Sequence, residues 1–234
     1  MNKHTFAQFD RDLDELRQRV VLMGQEVCQQ VRDAIRGLGE SDKVLIEQVI
    51  LRDKRINRAE VDLDERCVQI IVKHAPAAAD LRMLTTTMQM ITDLERVGDE
   101  AKKIAKAARQ IVGADPDSVP QVNLLTVSEH AVAMLERALD AYVRSDVSLA
   151  PELAREDKDV DAVIKGIMGD LATLMMKTPA HVIRALDLLT IAKAIERVGD
   201  HATNVAEYVV FMARGRDVRH TTPEDMDQVV RPAN

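Results

Sequence analysis

The pentapeptide Glu95-Arg96-Val97-Gly98-Asp99 recurs as Glu196-Arg197-Val198-Gly199-Asp200, 101 residues further along (196 − 95 = 101). In both copies an alanine follows two residues later (Ala101, Ala202) and another four after that (Ala105, Ala206). The correspondence reaches back along the chain. Ser41-Asp42 matches Ser145-Asp146 and Asp53-Lys54 matches Asp157-Lys158, both at an offset of 104, and Asn57 falls on Asp161. About three residues are therefore lost from the second copy near its second turn (104 − 101 = 3). A chain built this way folds as one unit made twice, each copy about a hundred residues long.

The unit is helical. The first segment steps Leu13, Leu16, Val20, Met23, Val27, Val31, Ala34, Leu38, in threes and fours. Similar stripes run through Leu45, Val49, Ile56, Leu63, Cys67, Ile70 and through Leu84, Met88, Ile91, Leu94, Ala101, Ile104. With 2 Tyr, 3 Phe, no Trp, 9 Gly and 7 Pro, the chain is poor in what strands and their turns require. The predicted fold is all-α, two tandem pseudo-symmetric three-helix bundles made of six long helices. The predicted boundaries are residues 1–112 for the first bundle, 113–120 for a linker rich in Gly, Pro and Asp, and 121–216 for the second bundle. Residues 217–234 read as a loose polar tail. Pro76 and Thr178-Pro179 mark the breaks before the third and sixth helices. Gly37 and Gly39 are expected to end the first helix, and each set of three helices to bury its stripe within its own bundle.

Charge narrows the function. The net charge is −7, with both signs interspersed and no long basic stripe, which argues against nucleic acid as a partner. No uncharged run approaches the ~18 residues of a membrane span. Met1 to Asp14 carries no apolar signal core, so a cytoplasmic protein is expected. Cys28 and Cys67 lie on apolar stripes and read as core. There is no Walker loop, GxSxG or HExxH, and no ExxH pair of the ferritin-like di-iron kind.

What remains is carboxylate. Glu95 with Asp99, and Glu196 with Asp200, lie four apart on one helical face, where like charges repel unless a cation intervenes. Each pair encloses a glycine, which costs a helix interior roughly 1 kcal/mol relative to alanine and implies a close approach. The preceding helices offer Asp53, Asn57, Glu60 and Asp64 in the first copy, and Asp157 and Asp161 in the second. Such oxygen-rich pairs of facing helices suit hard cations (Mg²⁺, Mn²⁺, Ca²⁺ or iron) rather than zinc. The plainer alternative is a solvated face, with Asp53 to Asp64 paired to Lys54, Arg55 and Arg58. Glu60 and Asp64 fall on Ile164 and Met168, so the duplication does not support them. Asn57 leaves the first copy less acidic than the second. His201 points off the Glu196/Asp200 face and reads as a surface or salt-bridging residue.

These motifs resemble the PhoU family over about residues 5 to 220. The most specific stretches are Pro76-Ala77-Ala78-Ala79-Asp80-Leu81-Arg82, Asp93-Leu94 followed by the first pentapeptide, and Ala194-Ile195 followed by the second with His201-Ala202. The resemblance implies metal on Asp53 with Asn57, Glu95 with Asp99, Asp157 with Asp161, and Glu196 with Asp200, held as divalent or ferric ions (Mg, Mn or Fe). It implies an adaptor rather than an enzyme. Such an adaptor restrains phosphate uptake and phosphate-starvation signalling. Its expected partners are the ATPase subunit of the phosphate ABC transporter, the phosphate-sensing histidine kinase and, in a homodimer, a second copy. Membrane contact is then expected only through those partners. A carboxylate-bridged metalloenzyme and a purely structural helical protein are the competing readings.

Overall fold

The computed structural model describes residues 3–114, 120 and 122–231, with side chains from residue 7 onward. Among them there is no strand. Six long helices follow one another: α1 (Lys3–Gly39), α2 (Lys43–His74), α3 (Ala79–Val112), α4 (Leu125–Arg144), α5 (Leu149–Lys177) and α6 (Val182–Arg214). A 3-10 turn, Pro179–His181, precedes α6. Most of the predicted linker, residues 115–119, lies outside the described residues.

Local chemistry sets the corners. Asp42 caps α2, its Oδ1 accepting from the backbone N–H of Val44 at 2.9 Å and of Leu45 at 3.0 Å. Asp146 accepts from the N–H and hydroxyl of Ser148 in the turn before α5, without capping the helix itself. Ser41 and Ser145, which precede them, are both left-handed (φ 56° and 53°). The match seen in sequence is thus a repeated turn with the same backbone conformation. α1 ends at Gly39, within the expected pair of glycines, and Gly37 makes room for Ile46, whose Cγ1 lies 2.7 Å from where a Cβ would stand.

The apolar core is continuous through both halves, which corrects the expectation of two separately buried stripes. α1–α2–α3 and α4–α5–α6 each form a three-helix set, but α3 packs more extensively on α6 than on either of its own partners. The two run antiparallel: Arg82 reaches the Met212 carbonyl at one end, and Arg184 the Gln110 carbonyl at the other. Each keeps an exposed stripe, but the seam between them buries polar positions as well, such as Asp93 and Glu100. Arg32 of α1 adds a two-pronged ion pair to Glu136 of α4, at 2.6 and 2.9 Å.

The tail is a second correction. Thr222 caps a seventh helix, α7 (Pro223–Val230), with Pro223 in the first turn, and the helix packs on α5. Val218 and Met226 are buried, and Arg155 of α5 pairs with Asp227. With Pro223 also buried, and Val229 and Val230 packed against the core, a few apolar anchors order a segment that is polar on average.

Candidate metal centre

In the second half, α5 and α6 bring Asp157, Asp161 and Asp200 together. Each offers one oxygen, and the three lie within 4.8 Å of one another. Oδ1 of Asp157 and Oδ1 of Asp161 are buried with no hydrogen-bond partner. A buried carboxylate oxygen left unpaired is costly, and such atoms call for a ligand. Burial pushes the Asp157 carboxyl up to about 7, and Asp200, Asp161 and Glu196 push in the same direction. Burial, then neighbouring carboxylates, also raises Asp161 and Asp200. Glu196 completes the set but is held at its outer edge by Lys193 Nζ, 2.6 Å from Oε1.

The glycine inside the pentapeptide now has a cause. A Cβ on Gly199 would stand 2.7 Å from Asp157 Oδ1, so the missing side chain makes room for the carboxylate itself. A Cβ on Gly98 would stand 3.1 Å from Ile56 Cγ2. Both glycines allow the neighbouring helix of their own bundle to approach closely. Asp157 and Asp161 on α5, and Glu196 and Asp200 on α6, are thereby fixed on rigid elements rather than loops.

The first half uses the same positions differently. Asp53 is 3% exposed, its Oδ2 accepts from Lys102 Nζ at 2.6 Å, and its Oδ1 is buried without a partner. Lys102 also lies 3.6 Å from Asp99. Glu95 is half-buried, and burial followed by Asp99, Glu60 and Asp53 raises its pKa. Asn57 is exposed, unlike its counterpart Asp161. Glu60 and Asp64 belong to this acidic group even though the duplication did not support them. Burial raises both, Asp64 and Asp99 add to the effect on Glu60, and Asp64 buries an unpaired Oδ1.

Three features of the site escaped the sequence reading. Lys102 lies three residues past the pentapeptide, and the same offset of 101 would have set it opposite Thr203. Asp93 is buried at the α3–α6 seam, where His201 Nδ1 lies 2.8 Å from Oδ1 and the Tyr208 hydroxyl donates to Oδ2 at 2.6 Å. That contact makes His201 a seam residue rather than a ligand. Glu207, two turns beyond Asp200, is buried, and desolvation followed by Asp217 pushes it up to about 7. The two cysteines are core, as read, each pushed up to about 12 chiefly by burial.

All these donors are oxygens, and no histidine nitrogen or thiolate joins them, so the set fits Mg²⁺, Mn²⁺ or ferric iron better than zinc.

A family model described as the PhoU domain matches residues 20–108 and again residues 124–209, one match on each half. The chain belongs to the PhoU family. It is 39% identical over 230 residues to a Burkholderia protein named phosphate-specific transport system accessory protein PhoU homolog, covering 97% of this chain and 98% of that one. It is 37% identical to the Escherichia coli K12 protein of corresponding name, covering 98% and 95%. The crystal structure of PhoU from Pseudomonas aeruginosa resembles this fold with a TM-score of 0.84 at 37% identity, over 89% of this chain and all of that one. That of the PhoU regulatory protein from Streptococcus pneumoniae does so with a TM-score of 0.83 at 27% identity, over 90% and 99%.

Proposed function

We propose that this PhoU-family chain is a metal-binding cytoplasmic adaptor of phosphate-specific transport. It restrains phosphate uptake and phosphate-starvation signalling by engaging the ATPase subunit of the phosphate ABC transporter and the phosphate-sensing histidine kinase, and it works as a homodimer. What supports the transport role is the name shared by its relatives, that of an accessory protein. No described helix is long and apolar enough to cross a membrane, which agrees with contact through partners. The accessory role of the relatives likewise favours binding over catalysis.

The observation that carries the metal reading is the convergence of Asp157, Asp161 and Asp200 with two buried, unpaired oxygens. Mg²⁺, Mn²⁺ or Fe³⁺ would be held there, with Glu196 at the edge. Asp53, Asn57, Glu95 and Asp99 are the equivalent positions of the first half. A bound cation would cancel the repulsion between carboxylates and stiffen the α5–α6 pair against which α7 and the seam are set.

The test is the double variant Glu196→Ala/Asp200→Ala, read by a phosphatase reporter in phosphate-rich cells at normal protein level. The expected outcome is release of the reporter with the fold intact. Full repression, with metal shown by elemental analysis to be gone, would mean that the centre takes no part in restraint.

A further inference from the structure

Lys102 and Thr203 occupy equivalent places in the two halves (203 − 102 = 101), and so do Thr92 and Lys193 (193 − 92 = 101). Each half therefore has one lysine near its acidic set, but at opposite ends. In the first half Lys102 crosses from α3 to α2. Its ammonium lies 2.6 Å from Asp53 Oδ2 and 3.6 Å from Asp99 Oδ1, with the side chain only 27% exposed. A cation with carboxylates from both helices around it already sits there, supplied by the chain. In the second half Lys193 stays outside, half exposed, and reaches Glu196 only. Where the other lysine would enter stands Thr203, too short to bridge, and its buried hydroxyl has no partner. Asp157 Oδ1 and Asp161 Oδ1 are likewise unpartnered, whereas in the first half Lys102 meets one oxygen of Asp53 and leaves only Oδ1 without a partner. Among the described residues, Asp157, Asp161 and Asp200 are the one set of three metal-ligating side chains that converges within 4.8 Å. No such set of His, Cys, Asp and Glu forms among the described residues of the first half, and Asn57 contributes no charge.

We propose that Lys102 is a resident counter-ion standing in for a metal between Asp53 and Asp99, so that the chain holds metal at a single centre, in its second half. The inference rests on the metal-binding reading above. Its physical basis is substitution of like for like. A buried carboxylate, Asp53, with a second one, Asp99, at its edge needs positive charge, and a tethered ammonium supplies it without a metal, whereas a threonine leaves the need unmet. The first half is then built to stand alone, and the second depends on what it binds.

The experiment uses the full chain, stripped with EDTA, reloaded with Mn²⁺, desalted and analysed for manganese, with melting followed in both states. Asp157→Asn/Asp200→Asn should lose nearly all the metal, and Asp53→Asn/Asp99→Asn should keep the wild-type content. Lys102→Thr should gain manganese, and the gain should be reversed by adding Asp53→Asn/Asp99→Asn to it. Its melting should become more metal-dependent than wild type. Thr203→Lys should lose manganese and melt at the same temperature with and without the ion. Wild-type metal divided between the halves, or no gain in Lys102→Thr, would overturn the inference and leave the metal reading standing. Wild-type protein that takes up no manganese would overturn that reading, and this inference with it.

Discussion

Replacing Asp157 by Asn should make the metal-free protein more stable at pH 8. In the folded chain, burial followed by Asp200, Asp161 and Glu196 raises this carboxyl from 3.8 to about 7. In the unfolded chain it ionises at its ordinary value. Below that value both states are protonated, and there is no difference between them. Between roughly pH 4 and 7 the folded chain holds a proton that the unfolded chain has released, so stability falls as pH rises. Above 7 the penalty is complete: about three pH units at about 1.4 kcal/mol each, or ~4 kcal/mol. Asp200 is exposed and can turn into solvent, so an expected gain of about 2–3 kcal/mol is more realistic. Asn keeps the shape and removes the charge. Urea unfolding in EDTA at pH 5 and pH 8 reads the effect. Glu207, also raised to about 7, imposes a second penalty of the same sign, and the raised Asp161, Asp200, Glu95, Glu60 and Asp64 add to it, so Asp157→Asn should shrink the wild-type pH dependence without abolishing it. Saturating Mn²⁺ should raise the stability of the wild type at pH 8, and that of the variant far less. A variant no more stable than wild type in EDTA at pH 8, or one with an undiminished pH slope, would refute the reasoning.

Glu207→Gln should also shrink that slope, without changing manganese uptake, measured by the same urea and metal assays. Gly199→Ala, whose new Cβ would displace Asp157 Oδ1, should weaken Mn²⁺ binding at least tenfold in a titration; its EDTA melt should not fall, since alanine favours the helix by about 1 kcal/mol. Tyr208→Phe removes one of the two cross-seam partners of buried Asp93 and should cost about 1–2 kcal/mol in urea unfolding. Met226→Ala should cost about 2 kcal/mol and raise amide exchange in α7 and the part of α5 beneath it.

The helices were legible because their stripes keep step for thirty residues at a time, and the duplication because a helical glycine between two acids is an improbable thing to find twice. What lay hidden depends on pairs rather than periods. Asp93 reads as a surface residue until His201 and Tyr208 are brought to it from more than a hundred positions away. Glu60 and Asp64 were discounted because the second copy carries Ile164 and Met168 there, yet the acidic group of the first half extends along α2 in just that direction. Symmetry between copies is evidence for a shared role, and its absence is not evidence against a role in one of them. The tail is polar on average, and its order comes from a few apolar anchors, Val218, Pro223 and Met226, which an average hides.

The same reasoning bears on how a duplicated fold acquires a direction. Backbone features are retained in both halves: the left-handed serine and the glycine beneath the neighbouring helix. These set where carboxylates stand. Charge is what differs, through Asn57 against Asp161, Lys102 against Thr203 and Thr92 against Lys193. The two sites therefore share geometry and differ in what they need. They also share a wall. Asp99 and Asp200 open on one cleft along the seam, lined by Arg96 and Arg197, with His201 of α6 set against Asp93 of α3. On the proposal above, a half whose charge is supplied from within packs against one whose charge would come from a bound ion, and the His201–Asp93 contact, one residue from Asp200 in sequence, is where the first half would feel that ion.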